Sequence, residues 1–271
     1  MRKLYFLLAG LCLYCTSFAQ TDTTIKGQGG DTIRIGAMVI VKQRGSESTR
    51  KVYVEKNRRS SNITTNWLAI DLGFNNYTDN TNFASAAAQQ FAPGGTKDWF
   101  RLHNGKSINV NVWLFLQRLS LVKQVVNLKY GLGLELNNYR YERSIRYKVN
   151  PTSVYMDNTV AYHKNKLAVD YLTVPLMLNF NFTPKKSSKS SFGLSAGMSA
   201  GYLYSSRQKY IGDKTGKQKT KDNFDLRNYK LAYIGELKLG PVTLYGSMAT
   251  QSMFEKGLDQ TPYSLGLRLS R

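Results

Sequence analysis

Seven ionisable residues, Asp71, Lys129, Glu135, Lys230, Glu236, Lys238 and Arg268, stand in segments whose alternate neighbours are apolar. If the apolar alternates face outward, these charges face one another inside. They could then line a water-filled path for ions, or pair and neutralise each other. A charge whose partner is removed from a narrow, poorly hydrated interior costs about 3–5 kcal/mol. Pairing into an ionic plug is therefore the expectation, and these seven form the candidate interior network. Groups suited to catalysis are scarcer. His103 and His163 are the two histidines, and either could approach a Ser or Asp to build a hydrolase or acyl-transfer site. No spacing demands one, so no catalytic residue is assigned and a non-enzyme is expected. Two histidines do not make a dedicated metal site. Gly131-Leu132-Gly133 lacks the following helix that phosphate cradling requires, and reads instead as room on a crowded face. No cofactor is expected.

The elements that must position these charges are strands. Ile108, Val110, Val112, Leu114 and Leu116 alternate with Asn109, Asn111, Trp113, Phe115 and Gln117, a period of two with one greasy and one wetter face. Leu68, Ile70, Leu72 and Phe74 alternate in the same way with Trp67, Ala69, Asp71 and Gly73. Period and turn residues place eight strands near 66–74, 107–119, 125–139, 169–183, 191–204, 228–239, 241–250 and 262–269. Pro175 lies within the fourth and cannot donate to the ladder, so it should mark a bulge or a locally broken pairing.

Connections alternate between short (120–124, 184–190, 240–241) and long (75–106, 140–166, 205–227, 251–261). That rhythm implies an all-β fold: an eight-stranded antiparallel up-and-down transmembrane β-barrel with short periplasmic turns and long extracellular loops. A soluble eight-stranded barrel would show the same period with its apolar face inward. Three features favour lipid outside. The polar faces hold mostly Gly, Asn and Ser, where a soluble exterior is dense in Lys and Glu. Aromatic residues gather at strand ends, with Phe180, Phe182 and Phe192 at a short turn and Tyr202, Tyr204, Tyr229 and Tyr263 toward the long-loop rim, where the two membrane interfaces would lie. The chain also carries an export signal.

That signal is Arg2-Lys3, the apolar stretch Leu4–Tyr14 and Ser17-Phe18-Ala19. It reads as a signal peptide over 1–19, which removes both cysteines, Cys12 and Cys15. A polar, basic segment over 20–62 is expected to be periplasmic, with a β-like run at Thr32–Val41 and another at Val52-Tyr53-Val54. The barrel would occupy 63–271. Mean hydropathy is −0.38, which a barrel tolerates because half of each strand faces lipid. The expected location is the outer membrane.

The formal charge of +21 is still +19 without Arg2 and Lys3, and so basic a chain attracts anions. Nucleic acid is not expected, because the signal peptide routes the chain away from it and no recognised nucleic-acid motif appears. The expected partners are the outer-membrane bilayer, anionic outer-leaflet glycolipid at basic loops, and envelope proteins. Those loops hold Lys209, Lys214, Lys217, Lys219 and Lys221, and Arg140, Arg143, Arg146 and Lys148.

At Tyr171-Leu172-Thr173-Val174-Pro175-Leu176-Met177-Leu178 the chain resembles the Bacteroidota outer-membrane β-barrel family, sometimes called PorT-like. Gly193-Leu194-Ser195-Ala196-Gly197 and the closing Tyr263-Ser264-Leu265-Gly266-Leu267-Arg268-Leu269 agree with it. The resemblance covers about 66–271. It implies an eight-stranded outer-membrane barrel with no shared catalytic residues. The function expected is that of a non-enzymatic barrel with a plugged polar interior and a structural or surface-interaction role through its loops. The alternatives are a component of an envelope secretion or assembly machine and, more remotely, a loop-based hydrolase or acyltransferase.

Overall fold

The computed structural model describes residues 31–35, 38–42, 62–160, 162–184, 190–212 and 216–269. The leader expected at 1–19, the run Val52-Tyr53-Val54 and Lys214 lie outside them. The chain divides into two compact units, Met1–Ser60 and Ser61–Arg271. In the first, the single run expected at Thr32–Val41 is two strands, β1 (Asp31–Ile35) and β2 (Met38–Lys42), paired antiparallel from Asp31↔Lys42 to Ile35↔Met38.

The second unit contains β3 (Ile63–Asp79), a short helix α1 (Ala86–Phe91), a 3-10 turn (Lys97–Phe100), β4 (Ile108–Val122), β5 (Val126–Arg140), β6 (Ile145–Lys148) and β7 (Ser153–Met156). There follow β8 (Tyr162–Asn181), β9 (Phe192–Gly212), β10 (Gly216–Lys221), β11 (Tyr229–Leu239), β12 (Val242–Ala249) and β13 (Gln260–Leu269). Eight of these pair antiparallel in the order β3-β4-β5-β8-β9-β11-β12-β13, and β13 pairs back to β3, so the sheet closes on itself. Closure leaves those strands no free edge, the condition under which a sheet can cross a bilayer.

Outside the ring, large apolar side chains are exposed on strand after strand: Ile70, Leu72 and Phe74 on β3, Val174, Leu176 and Leu178 on β8, Leu265 and Leu267 on β13. From Leu172 on β8 to Phe182 just past its end, the exposed belt is continuous in phase. At about 3.3 Å per residue and a tilt of about 40°, that run rises about 25 Å, the height of an outer-membrane barrel's apolar band.

Two strands depart from the simple alternation. In β4 the register with β5 shifts between Trp113 and Phe115. This bulge reverses the phase beyond it: Leu116, expected outside, is buried, and Phe115, expected inside, packs on the outward Trp67 ring with centroids 6.1 Å apart. In β3, Leu68 has φ 52, and this kink leaves both Trp67 and Leu68 exposed. At Pro175 the pairing with β9 holds (Pro175↔Ser199), whereas on the β5 side the ladder skips from Tyr130↔Leu176 to Gly133↔Thr173. The missing donor interrupts one edge without shifting the register.

β8 and β9 run past the apolar belt, because backbone pairing continues where the apolar period stops. Lys209, Lys217, Lys219 and Lys221, expected on a loop, therefore lie on β9 and on β10, which pairs with it. Arg140 ends β5, and Arg146 and Lys148 belong to the β6–β7 hairpin.

Candidate functional site: the ring interior

Period two delivers the interior. Asp71 on β3, Glu135 on β5, Glu236 on β11 and Arg268 on β13 are all buried. Arg268 presents its guanidinium fork to two carboxylates. Nη2 donates to Asp71 Oδ2 at 2.7 Å, Nε to Asp71 Oδ1, and Nη1 to Glu236 Oε1 at 2.8 Å. Lys129 closes on Glu236, and Lys230 on Glu135. Three carboxylates and three cations thus meet, and their formal charges cancel. Lys238, the seventh expected member, stands apart. It lies beside Arg118 on the wall of a cavity of about 290 Å³ near the 182–191 connection, and among the described residues no carboxylate pairs with it.

Amides and rings that the charge pattern did not single out join the two ion clusters. Tyr245 donates to Asn109 Oδ1 at 2.6 Å. Asn109 Nδ2 donates to Asn137 Oδ1 (2.9 Å) and Asn111 Oδ1 (3.2 Å). Asn137 continues to Glu135 (3.0 Å) and Asn111 to Asp71 (3.3 Å). Trp113 Nε1 adds 2.7 Å to Asp71 Oδ2, under the Arg268 guanidinium, and Thr173 adds 3.3 Å to Glu135. Their sequence signal was the asparagine alternation on the wet face of β4. Glycine makes room for the rings. A Cβ on Gly133 would stand 2.5 Å from the Trp113 ring, and one on Gly73 would stand 2.5 Å from the Tyr245 hydroxyl.

Space is tight between the two ion clusters, although Lys129, Glu236 and Arg268 also line the cavity of about 290 Å³ that holds Lys238. The cavity bounded by Asp71, Glu135, Glu236 and Arg268 measures about 30 Å³, room for about one or two waters. Above it, toward the long connections, a second seal is apolar: Tyr77, Phe91, Phe100, Tyr139, Tyr141, Tyr147, Phe224 and Phe254 belong to one buried cluster. The β6–β7 hairpin is tied into this cap. Gln208 accepts from Tyr147 N (3.0 Å) and donates to Ile145 O (2.8 Å), and Asn165 also donates to Ile145 O (2.6 Å). Arg146 reaches the Tyr210 hydroxyl (2.7 Å) and Asp157 (3.5 Å). Burial tends to raise the Asp157 carboxyl, yet bonds from Thr159, Tyr162 and Arg146 hold it down at about 2.

His103 Nδ1 lies 3.9 Å from Glu142 Oε1 at an exposed position, and the His163 carbonyl accepts from Arg140 (2.6 Å). Among the described residues no group of three or more His, Cys, Asp or Glu could hold a metal ion.

Two comparisons with known proteins bear on this geometry. A family model described as outer membrane protein beta-barrel domain matches residues 70–243. No curated protein matches the chain.

Proposed function

The chain belongs to the outer membrane protein β-barrel domain family and resides in the outer membrane; from that premise we propose that it is a closed, non-conducting, non-enzymatic barrel whose role is structural or lies in surface interaction. The carrying observation is the doubly sealed interior, with neutralised charges at mid-height and an aromatic cap above. Charge-balanced pairs in a cavity of about 30 Å³ offer no path for hydrated ions, so functional surface is confined to the outer wall and the connections. In this reading the turns at Lys123-Gln124 and Gly240-Pro241 face the periplasm, and the connections carrying α1 and β6–β7 face outward, as outer-membrane barrels arrange them.

The test is reconstitution in planar bilayers. The wild-type protein should be silent, and the cap-opening change Tyr147→Ala should leave it silent because the ionic seal persists. Sustained unitary currents from the wild type would refute the reading. Labelled ester or lipid substrates should show no turnover above buffer, for wild type and for His103→Ala and His163→Ala alike.

A second reading, membership of a PorT-like envelope secretion or assembly machine, is favoured by the separate N-terminal unit with its β1–β2 hairpin. Cross-linking in cells should then return a fixed set of envelope proteins, lost on deletion of residues 21–60.

A further inference from the structure

Four cations stand in one register row across adjacent strands. Arg140 of β5 lies opposite Lys166 of β8, Lys166 opposite Lys209 of β9, and Lys209 opposite Lys219 of β10. At about 4.8 Å between strands the row is about 14 Å long. Like charges directly opposite destabilise a sheet, so such a row calls for an anion from outside.

Alternation fixes the face. On β9, Ser206, Gln208 and Tyr210 are buried, which turns Arg207 and Lys209 to the outer wall above the exposed Tyr202 and Tyr204. On β8, Leu167, Val169 and Tyr171 enter the cap core, which turns Lys164 and Lys166 outward; Asp170 shares their phase but is buried beneath its neighbours. Asp170 is the one carboxylate in the outward phase of these four strands among the described residues, and it is buried against Arg207, which pairs with it. The lysines feel their crowding. Lys217, then burial, Lys164 and Lys219 depress Lys209 below the ordinary lysine value. Burial, then Lys164, Lys209 and Arg207 bring Lys166 down to about 8.

Lys209 lies five residues beyond Tyr204, about 13 Å higher along a tilted strand. If the tyrosines mark the lipid interface, the row stands level with the sugars and phosphates of the outer leaflet.

We propose that the row Arg140–Lys166–Lys209–Lys219 binds the phosphate groups of outer-leaflet glycolipid, clamping that lipid to one side of the barrel. The proposal rests on the outward orientation of the long connections given above. A second copy of the chain would bring the same positive face and is disfavoured. Glycolipid is present beside the wall at this height and carries the complementary charge.

The test uses the full barrel in detergent micelles, titrated with purified phosphorylated core glycolipid and with the same glycolipid after phosphatase treatment. The triple change Lys166→Gln, Lys209→Gln, Lys219→Gln should weaken binding at least tenfold. The control triple Lys97→Gln, Lys106→Gln, Lys256→Gln, elsewhere on exposed turns, should change it less than twofold. A compact band on unheated gels verifies folding. Should the glutamine triple not fold, Lys166→Arg, Lys209→Arg, Lys219→Arg serves instead, and should keep the binding and its sensitivity to phosphatase. Equal weakening by both glutamine triples, or undiminished binding of the dephosphorylated lipid, overturns the proposal. Orientation is read separately by an epitope inserted after the open Gly105 and probed with antibody on intact cells. A reactive epitope without glycolipid binding overturns the clamp alone, and an unreactive one overturns the orientation and the clamp with it.

Discussion

Arg268→Gln removes the one side chain that joins two carboxylates of the interior, and its cost can be worked from the geometry. Arg268 is almost wholly buried; it donates twice to Asp71 and once to Glu236. In its absence Asp71 keeps Trp113 and Asn111, and Glu236 keeps Lys129, but the cluster carries a net −1 between cavities of about 30 and 290 Å³. Breaking a buried pair by deleting one partner costs about 3–5 kcal/mol. With a urea slope near the upper end of about 1–3 kcal/mol/M, the unfolding midpoint should fall by about 1–2.5 M. The assay is the fraction of protein migrating as the compact band on unheated gels after equilibration in urea. Arg268→Lys should fall between wild type and Arg268→Gln, because an ammonium keeps the charge and loses the fork. Asp71→Asn combined with Arg268→Gln should recover part of the loss by removing the stranded charge. Lys238→Gln, which breaks no described ion pair, should stay within about 0.5 M of wild type by the same slope. The reasoning fails if Arg268→Gln also stays within that margin, or if Lys238→Gln costs as much.

Three further outcomes follow from local geometry. At the β4–β5 turn, Lys123 and Gln124 both have positive φ (42 and 60), and Val125 N bonds Val122 O at 2.8 Å; Asn-Gly suits such a turn, so Lys123→Asn with Gln124→Gly should raise the urea midpoint, by about 1 kcal/mol of relieved strain, and no rise would contradict the strain. Gly133→Ala would push a methyl group against the Trp113 ring and Val112 O, costing about 1–3 kcal/mol, with a shift in Trp fluorescence marking the displaced indole. In the cap, the folded Asp157 carboxyl titrates at about 2, below the unfolded value of about 3.9. Its stabilisation is therefore complete above about pH 4 and is lost as pH falls through 2. Amide exchange over 144–160, corrected for its intrinsic pH dependence, should accelerate across that window in wild type and be already fast at pH 5 in Asp157→Asn.

What the sequence made legible was whatever period two controls. Eight strands, their order along the chain and the placement of Asp71, Glu135, Glu236 and Arg268 on the wet face all follow from alternation, because a closed sheet gives each residue one of two directions. Where one residue breaks the count, the reading fails. The bulge near Leu114 turns Leu116 inward and Phe115 outward, and no residue type at that point announces it. Pro175 was visible as a missing donor, but whether the register slips is decided by neighbouring strands, and pairing with β9 is enough to hold it. The cap was illegible for a different reason. Phe91, Phe100, Tyr141, Tyr147, Phe224 and Phe254 come from connections far apart in the chain, carry no common period, and converge only once the ring brings its long connections to one mouth.

The same limit explains the basic residues. As a loop composition, Arg140, Arg143, Arg146, Lys148, Lys209 and Lys219 look interchangeable. Strand pairing separates them. Arg146 turns in to Asp157 and Tyr210, and Arg143 reaches Asp98, so these charges are spent on the cap. Arg140 and Lys209 align instead with Lys166 and Lys219 on the outer wall. Neutralisation inside and accumulation outside are two consequences of one alternation. The charges around Asp71, Glu135 and Glu236 stand in a balanced set, whereas the outer wall above the apolar belt carries the unbalanced row Arg140–Lys166–Lys209–Lys219.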